Sequence, residues 1–167
     1  MKKIFLIISV VLAGYFASAQ IISANLQAAG LTCAMCTRAI DKSLSKVSFV
    51  KEVKPDIKSS SFEIVFKEGN NLNFDALGKA VEDAGFSVAK LELKGRFDNL
   101  KVGNDKEVQI NGNTFHFLKV NDQTLNGEHT ILLIDRNFLG ARDFKKYNDI
   151  PRSSSGKYSG RIYNVTI

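Results

Sequence analysis

The chain has no tryptophan, and only two prolines, two histidines and two cysteines among its 167 residues. Two cysteines cannot fill a tetrahedral zinc site alone. His116 and His129 lie too far along the chain to be read as their partners, so each histidine reads as a strand residue. No Ser-His-Asp set, phosphate-binding loop or paired-carboxylate motif is present, and Asp41, Glu63 and Glu82 fall at the spacings of solvated faces. The chain is therefore expected not to be an enzyme. Charge is not concentrated either. Lys42, Lys46, Lys51, Lys54 and Lys58 alternate with apolar positions, which argues against a nucleic-acid partner and for an ordinary solvated surface.

The one strongly apolar run stands at the start, where Lys2-Lys3 precedes residues 4–13. That run is short for a membrane span, and Ala17-Ser18-Ala19 follows it as a small-x-small cleavage site. Residues 1–19 are expected to be a signal peptide and Gln20 the first mature residue. No later segment is apolar enough to span a bilayer, and no cysteine stands where lipidation would need one. The mature protein is expected to be exported, periplasmic or secreted. Losing Lys2 and Lys3 lowers the net charge from +6 to +4.

Hydrophobic periodicity divides the remainder in two. Ile22, Ala24 and Leu26 alternate as a strand; Ala39, Ile40, Leu44 and Val47 recur as a helix stripe. Val50 and Val53 open a second strand, Ser59-Ser60-Ser61 marks a turn, and residues 62–66 form a third strand. A second helix carries Leu77, Ala80, Val81 and Ala84, with Asn73 or Asp75 as its cap and Gly85 at its end. Residues 86–93 alternate again. The order βαββαβ is the ferredoxin-like arrangement, so the fold class is α+β, with residues 20–94 as one domain.

Gly95 to Lys106, containing Gly103-Asn104-Asp105, reads as a linker. Residues 107–167 read as a second, small, mostly β domain. It has strands at 107–110, 114–120, 129–135 and 161–167, an Asn111-Gly112 hairpin turn, a polar loop through Asn126-Gly127, and a short helix at 141–147. Residues 151–160 read as a Ser- and Gly-rich loop. A small antiparallel sheet or a partly open, OB-like barrel fits that pattern. Phe115, Phe117, Phe138, Phe144, Tyr147, Tyr158 and Tyr163 read as core rather than as a stacking platform.

Both cysteines belong to Gly30-Leu31-Thr32-Cys33-Ala34-Met35-Cys36, at the passage from the first strand to the first helix. A bridge across two intervening residues constrains the unfolded chain little, so a structural staple is disfavoured. Two thiolates on one turn make either a soft-metal site or a redox couple. Nearness of Cys36 to a helix N-terminus favours thiolate there. Met35, between the two, is expected to point outward as surface contact.

The heptapeptide, set in a βαββαβ pattern and followed by Ala84-Gly85-Phe86 at the end of the second helix, resembles the heavy-metal-associated domain of copper chaperones and copper-transporting P-type ATPases. The resemblance covers residues 21–93. Leu31 stands where the family usually has Met, and both cysteines are in place. It implies that Cys33 and Cys36 are metal ligands, that the cargo is Cu(I) with Zn, Cd or Hg as other soft ions, that a metal-transfer protein is the partner, and that Phe86 shields the loop. Copper also suits the residues, because Cu(I) accepts two thiolates without the four ligands of structural zinc.

Two other readings compete. A periplasmic thiol-disulfide oxidoreductase would use the same pair, but the chain lacks the tryptophan that flanks the thioredoxin site, and Pro55 and Pro151 are poorly placed for its cis-proline. Alternatively the chain is an interaction protein whose C-terminal β region carries the function.

Overall fold

The computed structural model describes residues 19–31, 33–69, 71–147 and 161–167. Its first half is a ferredoxin-like unit. Strand β1 (Ala19–Ala29) leads to helix α1 (Ala34–Leu44), β2 (Val50–Asp56), β3 (Ser61–Phe66), helix α2 (Phe74–Asp83) and β4 (Ser87–Val102). The sheet order β2-β3-β1-β4 is antiparallel at every joint, as two βαβ crossovers require. Each helix forms where its apolar residues share a face. Thr37, Ile40 and Leu44 of α1 and Phe74, Leu77, Ala80 and Val81 of α2 are all buried.

The remaining strands are β5 (Lys106–Ile110), β6 (Asn113–Phe117), β7 (Gln123–Leu133) and β8 (Ile162–Thr166). A 3-10 turn (Arg136–Phe138), the single-turn helix α3 (Ala141–Phe144) and a second 3-10 turn (Lys145–Tyr147) lie between β7 and β8. These strands do not form a separate barrel among the described residues. They extend the first sheet into one of eight strands, ordered β2-β3-β1-β4-β7-β8-β6-β5, in which β6 and β8 are parallel.

The expected linker at 95–106 is strand for most of its length, because β4 runs sixteen residues and pairs with β1 along one edge and β7 along the other. Its buried positions are Val88, then Leu91, Leu93, Gly95 and Phe97, then Leu100 and Val102. The alternation slips by one residue at a bulge between Phe97 and Leu100, where Asn99 is left-handed (φ 54°) and its N–H donates to Asn126 Oδ1 at 2.8 Å. That slip is what makes the segment look unstructured in sequence. Similarly, Asn126-Gly127 lies within β7 rather than in a loop. The Asn111-Gly112 turn and the short helix at 141 stand where expected, whereas the loop at 151–160 lies outside the described residues.

A single cluster of buried apolar residues spans both halves. Phe74, the first residue of α2, is its hinge: the ring lies 6.1 Å from Phe66, 6.1 Å from Phe115 and 5.1 Å from Tyr163. Phe115, Phe117, Phe138 and Tyr163 are fully buried, as core aromatics should be; Phe144 and Tyr147 are half-buried over Leu118, Ile134 and Leu139. Asn73 holds the N-cap position of α2 without a side-chain hydrogen bond. Asp75 does not cap the helix but binds β8 and the residue before it: Arg161 Nε donates to its Oδ2 at 3.0 Å and the Tyr163 hydroxyl at 3.3 Å.

Two outcomes follow from the shared core. Circular dichroism and aromatic fluorescence should report one coincident urea transition, and Phe74→Ala should lower stability by about 3–5 kcal/mol in both signals. Burial, with Asp75 adding its charge, pushes the Tyr163 hydroxyl from 10.0 up to about 12. Its stabilising contribution is therefore full below about pH 10 and is lost as pH rises through about 12. An ultraviolet titration of the folded protein should show one tyrosine ionising well after the others.

Candidate metal site

At the end of β1, Gly30 adopts φ +78°, a left-handed conformation that glycine takes without steric cost, and the chain leaves the sheet there. Leu31 packs against the core, which fits an apolar residue beneath the loop. Cys33 is extended (φ −148°, ψ 154°) and is the N-cap of α1. Its carbonyl accepts the N–H groups of Cys36 at 3.1 Å and Thr37 at 3.3 Å, while its Sγ accepts the Cys36 N–H at 3.3 Å. A sulfur thus takes the place that a serine or aspartate oxygen usually fills. Thr37 is buried one turn on, where its hydroxyl reaches back 3.5 Å to the Cys33 carbonyl.

This geometry separates the two cysteines. Cys33 is exposed and Cys36 half-buried. Cys33 holds the cap position and its sulfur accepts the Cys36 N–H, so once the pair is reduced the helix terminus favours negative charge on that sulfur rather than on Cys36, where the spacing had placed it. The α-carbons are 5.4 Å apart and the sulfurs are joined as a disulfide. Two electrons and two protons convert that form to a pair of free thiols.

The surroundings of the loop come from two other segments. α2 closes with the Phe86 N–H on the Val81 carbonyl (3.1 Å) and the Gly85 N–H on the Glu82 carbonyl (2.8 Å). This pattern needs a left-handed residue at Gly85, which has φ +87°. Phe86 then packs half-buried on the core, and Ser87 pairs with Ala29 at the end of β1. On the other side the β2–β3 turn is tied to β1 by the Ala28 N–H on the Ser60 carbonyl (3.1 Å) and Gln27 Nε2 on the Ser59 carbonyl (3.2 Å).

That turn exposes Ile57 by 63%, and Met35 is exposed by 73%. The cysteine end of the sheet therefore carries two of the large apolar side chains that the described residues leave in water. Ile57 was missed in the sequence because one isoleucine among charged residues has no periodicity; only the turn puts it at the same end of the sheet as the loop.

The histidines lie elsewhere. His116 on β6 is buried with Nε2 2.7 Å from Asp105 Oδ1 and Nδ1 3.0 Å from Asn164 Oδ1. On β7, His129 Nε2 is 3.0 Å from the Asn126 carbonyl. Asp41, Glu63 and Glu82 sit on α1, β3 and α2 respectively. Among the described residues no three His, Cys, Asp or Glu side chains gather as a metal cluster. The pair of sulfurs is the donor set on offer, and two sulfurs suit a soft ion of low coordination number. No helix among the described residues is long and apolar enough to cross a membrane.

Residues 26–87 match the family model of the heavy-metal-associated domain. A copper-transporting ATPase of Helicobacter pylori is 38% identical over 61 residues, 36% of this chain and 8% of that protein. This chain thus spans under a tenth of that ATPase. The mercuric transport protein periplasmic component of Serratia marcescens is 33% identical over 88 residues, 52% of this chain and 93% of that protein. Among solved structures, oxidized MerP from Ralstonia metallidurans CH34 aligns with a TM-score of 0.36 at 29% identity, over 42% of this chain and 97% of that one.

After reduction, a limiting dose of iodoacetamide should label Cys33 several-fold faster than Cys36, as read by peptide mass spectrometry. Equal rates would remove the asymmetry of the cap.

Proposed function

The chain belongs to the heavy-metal-associated domain family, and on that premise we propose that it is an exported carrier of Cu(I), held between Cys33 and Cys36 and passed to a partner protein or sequestered. The observation that carries the reading is the placement of both thiols on one exposed turn at a helix N-terminus. An incoming thiolate can reach a cargo ion there and replace one sulfur at a time. The exposed Met35 and Ile57 give that partner an apolar surface around the point of exchange. Likeness to copper-transporting ATPases supports copper as the cargo.

The redox state of the pair governs the proposed activity. A disulfide offers no thiolate, so loading requires prior reduction by a dithiol, or capture of the ion before the pair oxidises. A carrier, rather than an oxidoreductase, is favoured by the family and by the absence of tryptophan beside the pair.

Mercury is the second reading. It is favoured by the Serratia marcescens mercuric transport protein periplasmic component, nearly all of whose length this chain matches. Hg(II) is also soft and takes two thiolates.

Anaerobic competition of the reduced protein against a Cu(I) chelator should give one ion per chain, and Cys33→Ser with Cys36→Ser should abolish it. A stoichiometry that survives the double change would overturn the assignment. Tighter retention of Hg(II) than of Cu(I) when both compete with a small thiol would move the cargo to mercury.

A further inference from the structure

We propose that Gln20 is a modification site: once the leader is removed after Ala19, the Gln20 α-amine closes on its own side-chain carboxamide to give a pyroglutamyl end. The inference rests on the export reading, which exposes that amine, and uses nothing of the cysteine turn.

The sheet sets the order of events. β1 begins at Ala19, with Ala19 opposite Phe97, Gln20 opposite Arg96 and Ile21 opposite Gly95. The Ala19–Gln20 bond therefore lies inside the β1–β4 pairing of the folded chain. A peptidase needs that segment extended and unpaired, so cleavage precedes folding and the protein folds with Gln20 as its first residue.

The same pairing fixes everything beyond the Gln20 α-carbon. Its carbonyl oxygen lies so near Gly95 that a β-carbon there would stand 3.0 Å from it. The next amide, Ile21 N–H, donates to Asn111 Oδ1 at 2.7 Å. The Gln20 side chain, in contrast, is exposed, and its carboxamide has no hydrogen-bond partner among the described residues. Before folding, the amine and the carboxamide of this one residue are both unpaired, and their reaction is intramolecular.

The amine lone pair attacks Cδ, the Cδ–Nε2 bond breaks, and Nε2 leaves as ammonia with a proton taken from the amine. No oxidant or reductant is needed. The five-membered ring contains N, Cα, Cβ, Cγ and Cδ, so it leaves ψ of residue 20 and every later backbone torsion of the strand free. One N–H remains on the ring. Ring closure also removes the positive charge of the amine. Arg96 keeps its ion pair with Glu128 at 3.1 Å.

The full chain, expressed with its leader in an exporting bacterial host and purified from the periplasm, should yield an N-terminal peptide that starts at residue 20 and is lighter by one ammonia. Stepwise N-terminal degradation should fail on it and begin at Ile21 after treatment with a pyroglutamyl aminopeptidase. Gln20→Ala should start at the same position with full mass and a free amine, and should bind Cu(I) as the parent does. A start at residue 20 with a free amine after prolonged incubation at neutral pH overturns the modification and leaves export standing. A retained leader overturns both, and a start at any other residue overturns the modification site.

Discussion

Strand β4 is bonded along both edges, and the architecture depends on that. A ferredoxin-like sheet normally ends at its fourth strand, where a row of unpaired amides and carbonyls faces water or another chain. Here the row is taken up by β7 from Glu92 to Val102, which makes the C-terminal region a continuation of the sheet. Hydrogen bonding alone would leave two halves swinging about a common strand. Phe74 prevents this by reaching from the start of α2 to Phe115 and Tyr163, and the Asp75 contacts to Arg161 and Tyr163 fasten the same helix end from outside.

The cysteine turn depends far less on that framework. Its geometry is local: a left-handed glycine turns the chain out, a cysteine caps the helix, and the next amides close on the Cys33 carbonyl. The framework contributes neighbours, namely the β2–β3 turn on one side and the α2–β4 junction on the other. A turn built this way fixes the relative positions of the two cysteines by one turn of helix while leaving Cys33 exposed.

What could be read in the sequence follows the same division. The first helix, the cysteine turn and the Gly85 ending were legible because each is specified by residues within a few positions of one another. Cys33 as the cap was not, because cysteine is not among the usual cap residues. The eight-stranded sheet was also hidden. Gly95 looks like a breaker in one dimension, whereas in space it makes room for the Phe97 ring and the β1 backbone. The phase slip at Asn99 then erased the alternation that would have carried β4 past residue 97. Asp75 illustrates a third case: its position suggests a helix cap, but its partners lie 86 and 88 residues away and leave no local trace.

The sheet order leaves β2 and β5 as its two outer strands. On β2, Pro55 has no N–H to offer, and Lys51, Glu52, Lys54 and Asp56 stand exposed along the strand. On β5 the sequence opens with Lys106 and Glu107. A second copy that tried to add itself strand by strand would have to strip water from these charges at either end. Joining the two halves at β4 keeps β2 as one outer strand and moves the other boundary from β4 to β5, strands whose charged side chains discourage stacking into fibres, so the enlarged sheet grows no more adhesive than the small one.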